Sequence, residues 1–400
     1  MAMVLPGVSY DETLLTQASN DDPVTMPLFI GYTLSDMAMQ PVSVGSLTQA
    51  NSLFGQCGTL AYSLRHFFEN GGRQCYVLPL GLGQGELAAR LHALIAALQA
   101  PQMLETLLAD DKTGLVLVPE LSELNEVNAD EVDVDALWYQ GWQALLTLCR
   151  QAPKRFALLE LPDSPAQAVT LTGQSFSADL CQHGAAWWPR LETSYEDEVS
   201  APVVLSPLPA IAAAIQRSAH DNGVWKAPAN LPLAKTRRPT QSILTSQALL
   251  DNQGVSCNLI RSFVGKGVRL WGCRTLLNEE NTAWRYIQTR LLISSVEHYL
   301  SKLARAYLFE PNTAPTWMKL KGQVWTWLRQ QWLAGAFFGT VEDEAFSLSI
   351  GLDETMPQDD IRQGKMILQV RLALLAPAEF IDISLTLDLR DGTTSAQIGG

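Results

Sequence analysis

Near the end of the chain, Ile381, Ile383, Leu385, Leu387 and Leu389 alternate with Asp382, Ser384, Thr386 and Asp388. A period of two predicts a strand with one buried and one wet face. Further upstream the period lengthens. Trp284, Ile287, Leu291, Val296, Leu300, Leu303 and Tyr307 recur at three- to five-residue steps, which predicts an amphipathic helix. Its start is expected near Asn278, with Glu279 and Glu280 at the positive end, where carboxylates suit the dipole. A second helix is predicted from about Pro315 to Gly335, because proline is tolerated in a first turn that has no use for its N–H. That helix is expected to bury Trp317, Leu320, Val324, Leu328 and Trp332.

The first half reads as strands and helices in alternation. MPLFIGYTL and PVSVGS suggest strands, and LTQANSLFG a short helix ending at Gly55. Leu60–Gly72 is a helix with Leu60, Leu64, Phe67 and Phe68 inward and a glycine stop. RQCYVLPLG, a helix over 86–100, a strand over 114–119, a helix over 134–150 and a strand over 155–161 follow. Helices between apolar strands predict an α/β layer. Tyr195–Ser200 is acidic and expected to be exposed, Ile211–His220 is helical, and NLIRSF with its GKG turn leads into GVRLW. Residues 1–22 form an extended arm in which Val4, Pro6, Val8 and Tyr10 alternate. With no partner nearby in sequence, the arm is either disordered or pairs with a sheet edge elsewhere.

Several strings, in order, resemble one known family. They are PGVxYxE (Pro6, Gly7, Val8, Tyr10, Glu12), FFENGGRQCYVLPL, GVWKAPAN (Gly223–Asn230), WGxRTL (Trp271–Leu276), WRY, FEPN, QDD and PAEF. The chain is similar to contractile tail sheath proteins of phage tails, R-type pyocins and extracellular injection systems such as the antifeeding prophage. Two departures mark it as divergent: the loop TLSDMAMQ lacks the family's Gly-Pro, and LSPLPAIAAAIQRSAHDN replaces a His- and Arg-bearing segment.

The resemblance implies a multidomain α+β or α/β fold: a C-terminal α/β sheath domain completed by the N-terminal arm, with an inserted outer α/β domain. Its expected divisions are an arm at 1–22, outer α/β structure at 23–230, an inner domain at 231–377 and a C-terminal strand arm and tail at 378–400. It implies a structural subunit, not an enzyme, with no cofactor. Copies would polymerise as a helical sheath of stacked rings around an inner tail tube protein and contract to drive the tube through a target envelope. Baseplate and cap proteins or sheath paralogues would be further partners. The protein would be made in the bacterial cytoplasm and assembled into a phage tail or tail-like particle.

Exchanged arms would link subunits through Pro6, Gly7, Val8 and Tyr10 at one end. At the other end stand Phe380, Ile381, Ile383, Leu385 and Leu387, which lack an evident hairpin partner. For a releasable grip on the tube, exposed charge on the second helix is expected at Lys319, Lys321 and Arg329. No acidic residue lies between Trp317 and Thr340.

Composition narrows these expectations. The chain is 47% hydrophobic and 17% charged, a folded-protein balance. Its net charge of −13 is uneven: residues 1–230 hold 10 basic and 25 acidic residues, and residues 231–400 hold 18 and 16. The front therefore repels nucleic acid and anionic membrane, and neither is expected as a partner. MAMVLPGVSYDE has no basic region or apolar core of a signal peptide, and no stretch approaches the roughly 20 apolar residues of a membrane span. Six scattered cysteines without a CxxC pair read as free thiols.

The rival reading is a cytoplasmic α/β nucleotide-binding enzyme using Gly81–Gly85, a loop between a strand and a helix. The dinucleotide pattern needs glycine at position 86, where Glu86 stands and would repel a pyrophosphate. Cys181 and His183 are too few ligands for zinc, and no nucleophile motif is present. Asp359 and Asp360 read as first-turn acids, and Trp317, Trp325, Trp327 and Trp332 as core plus interface.

Overall fold

The computed structural model describes residues 22–34, 37–128, 130, 132–196, 200–242, 249, 254–279, 283–375, 380–388 and 393–399. After a 3-10 turn at Pro23–Thr25, strand β1 (Pro27–Gly31) leads through β2 (Val42–Val44), α1 (Leu47–Phe54) and α2 (Thr59–Glu69) to β3 (Cys75–Pro79). Helices α3 (Leu87–Gln99) and α4 (Pro101–Ala109) precede β4 (Leu115–Leu117). A 3-10 stretch at Pro119–Glu126 and α5 (Val134–Gln151) precede β5 (Phe156–Glu160), and α6 (Pro165–Thr172) and α7 (Ala178–Cys181) precede β6 (Gly184–Trp188). Caps fix these helices locally. Ser46 accepts from the Gln49 N–H and Asp133 from the Ala136 N–H, and prolines open α4 and α6.

The chain continues through β7 (Leu191–Glu196), β8 (Pro202–Leu205), α8 (Leu208–Asn222), β9 (Thr236–Pro239), β10 (Asn258–Phe263) and β11 (Gly267–Trp271). It then forms α9 (Ile287–Ala306), α10 (Ala314–Leu333), α11 (Glu342–Ala345), β12 (Phe346–Ser349), α12 (Gln358–Arg362), β13 (Lys365–Ala373), β14 (Phe380–Asp388) and β15 (Thr393–Gly399). Eight strands form one sheet in the order β11-β10-β6-β5-β4-β1-β3-β2. Strands β3, β1, β4, β5 and β6 are mutually parallel, a doubly wound arrangement.

Both sheet faces are covered, which explains the near-continuous apolar strands. Phe29, Val77, Leu115, Leu117, Phe156, Leu158 and Trp187 share one core with α2, α8 and α9. Their neighbours Leu28, Ile30, Leu78, Val116, Ala157, Leu159 and Trp188 share the other with α3 and α5. The sheet runs on past residue 230, since β10 pairs parallel with β6 and antiparallel with β11. A separate four-stranded sheet has the order β12-β13-β14-β15.

Several expectations need correction. Helix α9 starts at Ile287, not near Asn278, because Thr275 Oγ1 donates to the Trp284 carbonyl (2.9 Å) and the Ile287 N–H to the Cys273 carbonyl (2.9 Å). That ties the approach back onto the preceding segment and leaves Glu279 outside the helix; Glu280 lies outside the described residues. Tyr195 is buried rather than exposed. Its hydroxyl sits 3.2 Å from His66 Nδ1, and the Arg65 guanidinium lies 4.4 Å from its ring centroid.

The C-terminal segment does have a hairpin partner. β14 pairs along its whole length with β13, from Lys365↔Asp388 to Ala373↔Phe380, and on its other side with β15. The periodicity showed a strand but said nothing of which neighbour would satisfy its backbone.

Candidate functional site

In a doubly wound sheet, ligands bind beyond the carboxyl ends of the strands where the order reverses. Here that point lies between β1 and β4, and the chain itself fills it. Glu120, on the turn after β4, is buried, and its Oε1 accepts the Tyr32 N–H at 2.9 Å. A Cβ on Gly31 would lie 2.4 Å from that oxygen, so only glycine leaves room for the carboxylate. Burial, with help from the nearby Glu123 carboxylate, pushes Glu120 up to about 8. Arg90, the cation beside this point, is paired with Glu123 and is not left for an anion.

The glycine loop beside this crevice is a packed connection. Gly81 and Gly85 have φ of 76° and 89°, and a Cβ on Gly83 would press on Arg90 and the Tyr32 ring. Glu86 sits at the start of α3. Saturating nucleotide should therefore not stabilise the fold. Full binding at a hundred times Kd would add about 2.7 kcal/mol, so a clear melting shift with millimolar ATP, NAD or FAD would overturn this reading of the loop.

The remaining chemical candidates are also held by ordinary contacts. Burial drives Cys181 up to about 11 and His183 down to about 3, so neither is poised as thiolate or imidazolium. Asp359 pairs with Arg362 (3.7 Å) and Asp360 with Lys365 (3.5 Å), at the surface. All six cysteines are free thiols. Among the described residues, no helix is long and apolar enough to cross a membrane.

The assembly candidates lie around α9 and α10. Helix α10 buries only Thr316, Leu320, Val324 and Leu328; Trp317 and Trp332 are half-buried, donating their indole N–H to Asn312 Oδ1 (2.6 Å) and the Gly339 carbonyl (3.1 Å). Trp327 stacks on Tyr299 of α9, ring centroids 4.0 Å apart, in an open groove of about 760 Å³ between the helices.

The three expected tube-contact cations spread over a broad arc of the helix, with Arg329 between the other two. At about 100° per residue, Lys321 stands roughly 160° around the helix from Lys319. Lys319 lies 5.6 Å from the Tyr307 ring centroid. Arg329 lies over Trp325 and pairs with Glu342 (3.3 Å), which opens the acidic turn α11. The expectation that this surface stays positive is corrected there, because the fold returns carboxylates that sequence spacing had placed beyond the helix. Sequence reasoning also missed an exposed apolar stripe, with Met318 at 69% and Leu333 at 68% exposure on either side of Trp325.

Of the expected arm residues, Pro6, Gly7, Val8 and Tyr10 lie outside the described residues. Where the description begins, Asp22 caps the first turn through the Val24 N–H (3.0 Å) and accepts a hydrogen bond from Ser295 of α9. This ties Asp22 to α9. Phe380, Ile381, Ile383, Leu385 and Leu387 lie along β14, opposite Ala373, Leu372, Val370, Leu368 and Met366.

Comparison with solved structures fits this architecture. Over 98% of its length and 100% of the matched chain, the protein is 90% identical to a chain in the cryo-EM structure of the anti-feeding prophage baseplate in the contracted state, with a TM-score of 0.85. It is 27% identical to a chain of the anti-feeding prophage helical sheath in the contracted state, over 95% of this chain and 98% of that one, with a TM-score of 0.67. A chain of the contracted PVC sheath complex, from an extracellular contractile injection system, shares the fold at 24% identity over 95% and 96% of the two chains, with a TM-score of 0.68. No protein-family model matches, and no curated protein does.

Proposed function

This chain belongs to the contractile tail sheath-like family, and from that premise we propose that it is a sheath subunit at the baseplate end of an extracellular contractile injection system. The observation that carries this reading is the contrast in identity: 90% to a chain from a contracted baseplate against 27% to a chain from the helical sheath of the same kind of particle. A specialised, ring-forming paralogue accounts for both values. Its copies surround the inner tube, contact baseplate proteins below and main sheath subunits above, and shift with them on contraction. Energy for that shift resides in a metastable lattice, so no nucleotide or cofactor takes part.

The chemistry of the joints is backbone hydrogen bonding. β12 and β15 are the two edges of the four-stranded sheet, and an edge strand can accept a strand from another copy. Residues 1–22 are the segment we assign to that role, and Asp22 at its end is held by Ser295 of α9. The tube grip rests on α10 through Lys319, Lys321 and Arg329. Exposed ion pairs contribute about 0–1 kcal/mol each and weaken with salt, which suits a contact that must release. Replacing all three by glutamate should leave the fold intact and prevent ring closure around tube. Normal extended particles from that variant would place the grip elsewhere.

The reading is tested by labelling the protein in particles assembled with tube and baseplate proteins and locating the label by electron microscopy. A single band beside the baseplate is expected. Label along the whole tail would remove the baseplate-end assignment, and unlabelled particles would remove the subunit reading.

A further inference from the structure

We propose that the β10–β11 hairpin is a docking surface for the carboxylates Glu126, Asp130, Asp133 and Asp135 of a second copy of this chain. The inference rests on the ring-subunit reading, which requires complementary faces on one sequence. Beyond Leu259, whose partner Trp188 is the last on β6, β10 continues for about 13 Å through Ile260–Phe263 paired with β11, and residues 230–233 bond along the other side of β11. The hairpin carries a platform that runs from Phe263 at its tip back to Trp271, which pairs with Leu259 at its base. The Phe263 and Trp271 ring centroids are 4.9 Å apart, and the Arg261 guanidinium lies 5.4 and 5.6 Å from them. Trp271 is 43% exposed and Val264 fully so. An aromatic pair clamping a guanidinium at a surface is the composition of an interface anchor.

Charge selects the partner. Residues 252–278 contain four cations and no carboxylate. On the adjoining β9 and the turn before it, Lys235, Arg237 and Arg238 are matched by Glu69, Glu196 and Glu192. Among the described residues no carboxylate pairs with Arg261, Lys266 or Arg269, the last donating to the Asn230 carbonyl at 2.7 Å. The opposite imbalance lies in residues 113–149, with seven carboxylates and no cation. Glu126, Asp130, Asp133 and Asp135 are exposed there, and among the described residues the ion-pair contact of Glu126 is to Arg190 at 4.0 Å.

The two stretches lie at the same end of the sheet. β10 is three strands from β4, about 14 Å away, and among the described residues no ion pair joins the two stretches. Each copy therefore offers a cationic hairpin and an acidic stretch, and they satisfy one another only between copies.

The test uses the full-length protein and sedimentation at about 50 and about 500 mM salt. One variant carries Arg261→Glu with Lys266→Glu, the other Glu126→Lys with Asp130→Lys. Each should weaken self-association about tenfold, as expected for two exposed pairs, with an unchanged melting temperature. An equimolar mixture of the two should recover wild-type association, and salt should weaken the wild type. Undiminished association of the hairpin variant, or failure of the mixture to recover, overturns the proposal, as does a wild type that stays monomeric. Loss of nucleic-acid binding with self-association untouched would also overturn it. Incorporation into particles is scored separately: wild type present and the hairpin variant equally present sinks only this inference, whereas absent wild type sinks the subunit reading as well.

Discussion

Deleting residues 1–20 should leave a folded protein that no longer enters rings. The described core begins at Val24, and the capping residue Asp22 with its hydrogen bond from Ser295 survives the deletion. The melting temperature should therefore stay within about 0.5 °C of the intact protein, a change of a few tenths of a kcal/mol at this chain size. Assembly should fall below detection, because the segment proposed to add a strand to another copy is gone. Normal rings from the truncated protein would show that strand exchange is not what joins the subunits. A cut after Pro377 should behave differently. It strips β13 of β14 and leaves a nine-residue strand, whose Met366, Leu368, Val370 and Leu372 are buried, with an open edge. The expected product is insoluble, since such an edge is a template for aggregation.

Stability should peak near pH 6 and fall on both sides. Burial raises Glu120 from 4.5 to about 8 and Glu160 to about 7. For these groups the folded chain holds the proton more tightly than the unfolded one. Their contribution is complete below the unfolded value and is lost as pH rises through the folded value. His66 and His298 are lowered to about 4, and His183 to about 3, again by burial first. There the unfolded chain binds protons that the folded chain refuses, so stability drops as pH falls below about 6.5. One pH unit is worth at most about 1.4 kcal/mol per group, which puts the Glu120 share between pH 6.5 and 8 near 2 kcal/mol. Urea unfolding at a series of pH values measures this. Glu120→Gln should flatten the upper limb by that amount, and a wild type equally stable at pH 6.5 and 8 would refute the assignment.

The carboxylate in that prediction was invisible in the chain. Glu120 is one of seven acidic residues in an uninterrupted acidic run, and nothing local distinguishes it from Glu126. Only the parallel pairing of β1 with β4 brings it 2.9 Å from the Tyr32 N–H, opposite a glycine. Glu86 is different. Its position in the glycine loop argued against phosphate from the spacing alone, and the structure supplies a second reason in the filled crevice. The tube-contact cations show the reverse limit. Their exposure follows from helical spacing in part, but Arg329 meets Glu342 only because the chain turns back after Gly335.

What the sequence determined by itself is what depends on neighbours within a few residues. The apolar period set β1, β3 and β5 as buried strands, α5 and α10 as helices and Leu320, Val324 and Leu328 as the inward face of α10. These follow from side-chain direction along a strand or helix, which is a local property. The motif strings likewise identified the family, because they are read in one dimension. Tertiary structure alone decided which strands pair, that β14 is held by β13, that Tyr195 is buried against His66, and where the carboxylates Glu120 and Glu342 land. Each of those contacts joins segments whose separation in space is set by the packing of two sheet faces and the closure of long connections. No window of sequence contains that information, because backbone donors and acceptors are satisfied by whichever partner the whole chain brings near.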